Sequence, residues 1–236
     1  MNSEGHRVPS ESQSNVQFMR RWFKDNARKA DLRPRCEPLK TPVAVEVSLE
    51  NVKYGQGGGE QFQVRVYEPQ DGSQSEGINR PALIMYHGGG WVLGDPTADE
   101  DLSIFFASEL RAVIFSVDYR LAPEHDLRTM HNDCYEALNW VTSPDISATY
   151  RVDLSRLGLW GCSAGAHLGA TGLLRDAVER ASSRLRQASL VVPAVCHPHA
   201  FSGLLGQTFE KKKQTYLKET PSSFLGHIEN LFGNVV

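Results

Sequence analysis

One stretch of this sequence, residues 157–172, constrains the fold more than any other. It holds the pattern G-x-S-x-G within residues 161–165 (GCSAG), preceded by mostly apolar residues and followed by a helical run of small residues. A strand, a tight turn and a helix in this order form a nucleophile elbow, in which the turn holds the serine in a strained conformation. The neighbours of such a serine must be small, and the two glycines and Ala164 meet that demand. The pattern predicts that the hydroxyl of Ser163 is exposed at a helix N-terminus, where backbone N–H groups favour negative charge.

Apolar runs and amphipathic segments alternate along most of the chain. Helices are predicted at residues 97–110, with Thr97 as N-cap, and at residues 127–141. The alternation argues for an α/β domain with a mostly parallel sheet and helices on both faces. Ligands bind such sheets beyond the carboxyl ends of the strands, and Ser163 lies at one of those ends. Strands are predicted at residues 43–49, 62–67, 81–86, 113–117, 157–160 and 190–192. The strands at 81–86 and 113–117 are predicted to be buried on both faces.

A glycine-rich motif follows the strand at residues 81–86 and reads HGGGW, residues 87–91. Three consecutive glycines let the backbone approach a ligand closely and point N–H groups at one spot. After a buried strand they predict an oxyanion hole, with the N–H of Ala164 as third donor. His87 is expected to support the loop through a backbone hydrogen bond rather than to act as the catalytic base. Trp91 is either a wall of the pocket or a core residue.

A second loop motif, DYRLAPEH at residues 118–125, follows the strand at residues 113–117. Its charges and its proline indicate a structural loop, in which Arg120 and Glu124 are expected to form an ion pair. The three motifs HGGGW, DYRLAPEH and GCSAGA, in this order and at compatible spacing, resemble the hormone-sensitive-lipase-like branch of the α/β-hydrolase superfamily. The resemblance covers roughly residues 43–195.

This resemblance implies an α/β-hydrolase fold and ester hydrolysis through an acyl-enzyme on Ser163. It also implies no cofactor and a small-molecule ester as substrate. The residues expected to form the oxyanion hole are Gly88, Gly89 and Ala164, and the residues expected to support the motifs are His87, Gly90, Gly161 and Gly165.

The chain departs from the family pattern in the elbow and after it. Cys162 stands where the branch often has aspartate, and Ala166 replaces the last glycine of GxSAGG; both are small, so the turn is expected to form. The base of the triad should follow Ser163 in the order Asp or Glu, then His. Too few residues follow Ser163 for two further strand–helix units, so the C-terminal strands and the triad Asp and His are expected to be missing. The remaining histidines are interpreted as structural residues: His197, His199 and His227. The remaining carboxylates lie outside the sequence context that the family uses for its triad: Glu210, Glu219 and Glu229.

Three explanations fit an absent base: a truncated or misassembled esterase gene product, a complete non-catalytic relative that binds a small molecule, or a chain completed by a partner. The first is favoured because the sequence offers no replacement element for the missing strands. The leading hypothesis is therefore a serine hydrolase of carboxylic esters, weakly active or inactive if truncated. The alternative is a small-molecule-binding relative. A third possibility, an interaction protein, rests only on the apolar stripe at residues 224–232.

The N-terminal part and the composition set the remaining expectations. Residues 1–15 are predicted to be a disordered lead, residues 16–42 an N-terminal cap-helix region, and residues 43–236 the incomplete hydrolase domain. The apolar stripe at residues 16–30 is either a helix packed on the domain or part of a lid. A net charge of −3 and four scattered cysteines argue against a nucleic-acid partner, a zinc site or a disulfide framework. With no signal peptide and no bilayer-spanning run, a cytoplasmic location is expected, with no prediction of oligomeric state.

Overall fold

The computed structural model describes residues 16–21, 43–54, 60–72 and 77–193. The described residues include a short helical segment at 16–21. The six strands of the sheet are β1 (Ala44–Lys53), β2 (Gln61–Gln70), β3 (Arg80–Tyr86), β4 (Val113–Asp118), β5 (Val152–Cys162) and β6 (Gln187–Val191). The helices among them are α1 (Glu100–Leu110), α2 (Leu127–Val141), α3 (Pro144–Thr149) and α4 (Ala164–Arg180).

The strands form one sheet in the order β1-β2-β4-β3-β5-β6. Strand β2 pairs antiparallel with β1 and with β4, whereas β4, β3, β5 and β6 pair in parallel. The predicted α/β fold with a mostly parallel sheet is therefore confirmed. Because parallel strands end at the same edge, the loops that follow Tyr86, Asp118 and Cys162 meet at that edge.

Helices cover both faces of this sheet, as predicted. Side chains alternate across β3 and β4, so Met85 and Ile114 lie in a cluster with α1 on one face. Ile84 and Phe115 lie in a larger cluster on the other face, which includes residues of α2 and α4 such as Leu168. These strands carry continuous apolar runs because both of their faces are buried.

Some element boundaries differ from those predicted. Strand β5 begins at Val152, ahead of the predicted start, because its first residues pair with the beginning of β3. Thr97 is not the N-cap of α1: its N–H donates to Asp95 (2.8 Å) within a turn, and Asp99 occupies the cap position. The short helix α3 was not predicted, although Ser143 caps it and a proline follows at its first position.

Several predictions concern residues outside the described ranges. They include the lead at residues 1–15 and most of the cap-helix region. The expected loss of the C-terminal strands, the three later histidines with their carboxylates, and the stripe at 224–232 all fall within residues 194–236, which are also outside the described ranges. The described part of the N-terminal region packs on the domain, because Val16 is buried and Met19 packs against the larger core cluster. Among the helices in the described ranges, none is long and apolar enough to cross a bilayer.

Candidate active site

Ser163 lies between β5 and α4 in a conformation that non-glycine residues rarely adopt. Its φ is 51° and its ψ is −114°, a combination that costs on the order of 1–3 kcal/mol and persists only where neighbours enforce it. Two backbone hydrogen bonds do so. The Ser163 N–H donates to the carbonyl of Val191 on β6 (2.9 Å), and its carbonyl accepts from the N–H of His167 (3.0 Å). The strand, turn and helix predicted from the sequence are thus present, with a half-buried serine at the start of α4.

The glycines of the elbow are required by close backbone contacts. A Cβ placed on Gly161 would lie 2.6 Å from the carbonyl oxygen of Gly165. A Cβ placed on Gly165 would overlap the carbonyl oxygens of Tyr86 and His87. Backbone atoms cannot rotate away as a side chain can, so both positions exclude larger residues. The helix α4 therefore begins in direct contact with the end of β3.

This contact brings the glycine loop (residues 87–94) beside the serine. A Cβ placed on Gly88 would lie 3.7 Å from the Cβ of Ser163. The loop turns sharply after Gly89, whose φ is 131° and whose carbonyl accepts from the N–H of Leu93 (2.9 Å). In the described part of the chain, the N–H groups of Gly88, Gly89 and Ala164 donate to no protein group. Unused backbone donors beside a serine can stabilise an oxyanion.

His87 supports the glycine loop from within the core, as the sequence predicted. Its side chain is 1% exposed, and its Nδ1 lies 2.8 Å from the carbonyl oxygen of Gly88, to which it donates. The ring stacks on Tyr119 with 4.3 Å between centroids, and the hydroxyl of Tyr119 donates to the carbonyl of His87 (2.7 Å). Burial lowers the pKa of His87 to about 4, so the ring is neutral at physiological pH.

The proline loop (residues 119–126) differs from its prediction in one respect: Arg120 and Glu124 do not pair with each other. Arg120 contacts Asp133 on α2, with its backbone N–H and its terminal nitrogen each 2.8 Å from a carboxylate oxygen. Glu124 is paired with Arg20 of the N-terminal segment (2.9 Å). The physical reason is burial: Asp133 is fully buried and needs a cationic partner far more than the partly exposed Glu124 does.

Two further histidines lie beside the glycine loop. The ring of Trp91, a core residue, meets His167 edge-on (5.4 Å between centroids), and His167 lies 5.2 Å from His131. Burial lowers the pKa of His167, and burial with repulsion from neighbouring cations lowers that of His131 to about 4. No histidine in the described ranges hydrogen-bonds the Ser163 hydroxyl. His167 was not predicted as a site residue, although its position four residues after the serine places it on the same helix face.

Cys162, directly before the serine, is a half-buried free thiol. Burial, with the nearby charge of Asp99, raises its pKa, so the thiol is protonated and does not compete with the serine as a nucleophile. Among the described residues there is no group of three or more His, Cys, Asp or Glu side chains that could hold a metal ion.

Comparisons with known proteins agree with this geometry. A family model described as alpha/beta hydrolase fold matches residues 83–225. Carboxylesterase NlhH of Mycobacterium tuberculosis is 36% identical over 140 residues, which is 58% of this chain and 42% of the relative. Arylacetamide deacetylase of Bos taurus is 37% identical over 137 residues, 56% of this chain and 33% of the relative. The solved structure of an esterase from Pyrobaculum calidifontis has a TM-score of 0.62 at 32% identity, over 76% of this chain and 53% of that one.

The matched region includes all three motifs that surround the site. A second solved structure, the carboxylesterase EstE1 from a metagenomic library, has a TM-score of 0.64 at 29% identity, over 77% of this chain and 56% of that one. The chain spans about half the length, or less, of these relatives. From the order of the strands, the elbow with its glycine loop and the family match together, the chain belongs to the alpha/beta hydrolase fold family.

Proposed function

We propose that this chain carries the nucleophile and the oxyanion hole of a serine esterase that acts on small carboxylic esters. The observation that carries the proposal is the conformation of Ser163, with φ 51° and ψ −114°, at the start of α4 and against Gly88. A strained serine with unused backbone donors in neighbouring residues is suited to acyl transfer. Relatives named carboxylesterase and esterase support the same reaction class.

In the proposed reaction, the Oγ of Ser163 attacks the carbonyl carbon of the ester. The carbonyl oxygen becomes an oxyanion, which accepts hydrogen bonds from the N–H groups of Gly88, Gly89 and Ala164. The bond to the alkoxy oxygen then breaks, and the alcohol leaves with a proton. Water attacks the resulting acyl-enzyme in the same way and releases the carboxylic acid. The positive end of the helix dipole of α4 favours both oxyanions.

The proton of the serine hydroxyl requires a base, and no residue is assigned to that role. His87 is held by Gly88 and Tyr119 in the core, and no other histidine in the described ranges contacts the serine hydroxyl. The histidines at 197, 199 and 227 lie outside the described residues. Removing the base from a serine hydrolase lowers kcat on the order of 10⁶-fold. The measured rate therefore distinguishes a chain that holds its base from one that does not.

The test is covalent labelling of the folded chain with a fluorophosphonate probe. We expect modification of the peptide that contains Ser163, identified by mass spectrometry, and loss of labelling in Ser163→Ala. Cys162→Ala is the matched control, because it alters the neighbouring residue and leaves the hydroxyl in place. A folded wild-type chain that reacts no faster than Ser163→Ala would contradict the proposal.

A second candidate function is a non-catalytic small-molecule binder, which the absence of a histidine contact to Ser163 in the described ranges favours. It predicts saturable binding of an apolar carboxylic acid, such as hexanoate, and this binding should persist in Ser163→Ala. It also predicts that the fluorophosphonate probe does not label the wild-type chain. Hydrolysis of p-nitrophenyl acetate that disappears in one of His197→Gln, His199→Gln or His227→Gln would instead identify the base and support the esterase.

A further inference from the structure

Arg20 of the N-terminal segment (residues 16–21) contacts both loops of the candidate site. Its Nε donates to the carbonyl of Val92 in the glycine loop (2.7 Å), and a terminal nitrogen donates to the carbonyl of Ala122 in the proline loop (2.7 Å). The two terminal nitrogens also donate to the carboxylate of Glu124 (3.0 and 2.9 Å). One guanidinium thus joins two loops that are 72 and more than 100 residues away along the chain.

The glycine loop depends on such support because its backbone is strained. Trp91 has a φ of 63°, in the left-handed region that a bulky residue rarely adopts. Its carbonyl accepts from the N–H of Ala122 (2.9 Å), which is one link between the loops. Arg20 adds the adjacent link, because it binds the carbonyls of Val92 and Ala122 together. The two links lie within four residues of Gly88 and Gly89, the proposed oxyanion donors.

The chemistry of these contacts requires arginine. A guanidinium carries its donors in a planar fork and can bond several acceptors at once, whereas the ammonium of lysine acts as a point charge. The ion pair with Glu124 is partly exposed, with 28% and 44% of the two side chains accessible, so it contributes little by itself. The bonds to the two carbonyls therefore carry the effect. The segment is held in place by the buried Val16.

We propose that Arg20 is a positioning residue for the oxyanion hole, which makes the N-terminal segment a part of the catalytic apparatus. This inference rests on the function proposed above. It assigns to Arg20 no contact with substrate: the residue acts through the backbone of Val92 and Ala122. Loss of the guanidinium lets the glycine loop relax and moves the donors of Gly88 and Gly89 away from the oxyanion.

The first test measures the loop without any chemistry. Amide hydrogen exchange is compared in wild type, Arg20→Ala and Arg21→Ala. Arg21→Ala is the control, because it removes the same charge from the exposed neighbouring residue. We expect the N–H groups of Val92, Leu93 and Ala122 to exchange about tenfold faster in Arg20→Ala and at wild-type rates in Arg21→Ala. Unchanged exchange in Arg20→Ala would overturn the inference, whatever the activity.

The second test measures the chemistry at Ser163. The maximal rate of fluorophosphonate labelling is expected to fall about 10- to 100-fold in Arg20→Ala, because a displaced donor costs rate rather than ground-state binding. The probe concentration at half-maximal rate should change less than twofold. Arg20→Lys should recover part of the rate, and Glu124→Gln should lower it by less than fivefold, since the contacts to both carbonyls remain.

The outcomes separate the two proposals. Faster exchange with an unchanged labelling rate would overturn the positioning role and leave the esterase proposal intact. A wild-type chain that the probe does not label would contradict the esterase proposal, and the positioning role would fall with it. Thermal melts of each variant identify general unfolding, and Arg20→Lys replaces Arg20→Ala in both tests if the alanine variant is unfolded.

Discussion

Gly165→Ala adds one methyl group at the closest backbone approach in the site. The new Cβ would overlap the carbonyl oxygens of Tyr86 and His87, so β3 and α4 must move apart. Overpacking costs typically about 1–3 kcal/mol, and contact with backbone places this case at the upper end. Alanine recovers up to about 1 kcal/mol as a better helix former than glycine. The expected loss of about 2 kcal/mol corresponds to a fall in Tm of roughly 4–8 °C for a chain of this size.

Gly172→Ala is the matched control, because it makes the same change in the same helix. No atom lies within 4 Å of a Cβ placed on Gly172, so only the gain in helix propensity remains. We expect a rise in stability of about 0.5–1 kcal/mol, or roughly 1–4 °C in Tm. Both variants are compared with wild type by circular dichroism during thermal unfolding. A Gly165→Ala variant as stable as Gly172→Ala would refute the close packing of β3 on α4.

Three other variants test the supports of the site. Asp133→Asn leaves Arg120 without its buried carboxylate. We expect urea denaturation to show a free energy of unfolding lower by about 3 kcal/mol, and an unchanged midpoint would contradict the pairing. Tyr119→Phe removes the hydroxyl that donates to His87 and should cost about 1 kcal/mol in the same assay. The pKa of His131 is lowered to about 4 in the folded chain. As the pH falls from about 6.5 to 4, the unfolded chain therefore takes up a proton at this residue while the folded chain does not, and the free energy of unfolding decreases. In His131→Asn the decrease in the free energy of unfolding between pH 7 and pH 4 should be smaller than in wild type by about 1–2 kcal/mol, given the partial exposure of the ring.

The features that could be predicted from the sequence are those that depend on residues close together in the chain. Strands β3 and β4 were predicted to within one residue at each end, because both are continuous apolar runs followed directly by a loop motif. The elbow was predicted because its glycines and its serine are adjacent, and the steric reason for Gly165 is now visible. The missed helix α3 also had a local signal, the sequence Ser143-Pro144.

The features that could not be predicted depend on contacts between distant residues. Arg120 could pair with Glu124 or with Asp133 by charge alone, and burial of one carboxylate decides the choice. The partner of Glu124 is Arg20, 104 residues away. In the sequence Arg20 is one of several basic residues on the polar face of an amphipathic segment. No local pattern separates a guanidinium that binds two carbonyls from one that only faces solvent.

The two strained residues of the site lead to one conclusion about how it is built. Ser163 and Trp91 both have positive φ values, and each costs on the order of 1–3 kcal/mol unless neighbours hold it. In each case one backbone hydrogen bond that holds the residue comes from a distant element: Val191 of β6 accepts from the N–H of Ser163, and Ala122 donates to the carbonyl of Trp91. A chain that kept all three motifs but lacked β6 would therefore lose the acceptor for the serine N–H. Motifs identify the residues of this site, whereas β6 and the proline loop determine whether those residues hold a reactive geometry.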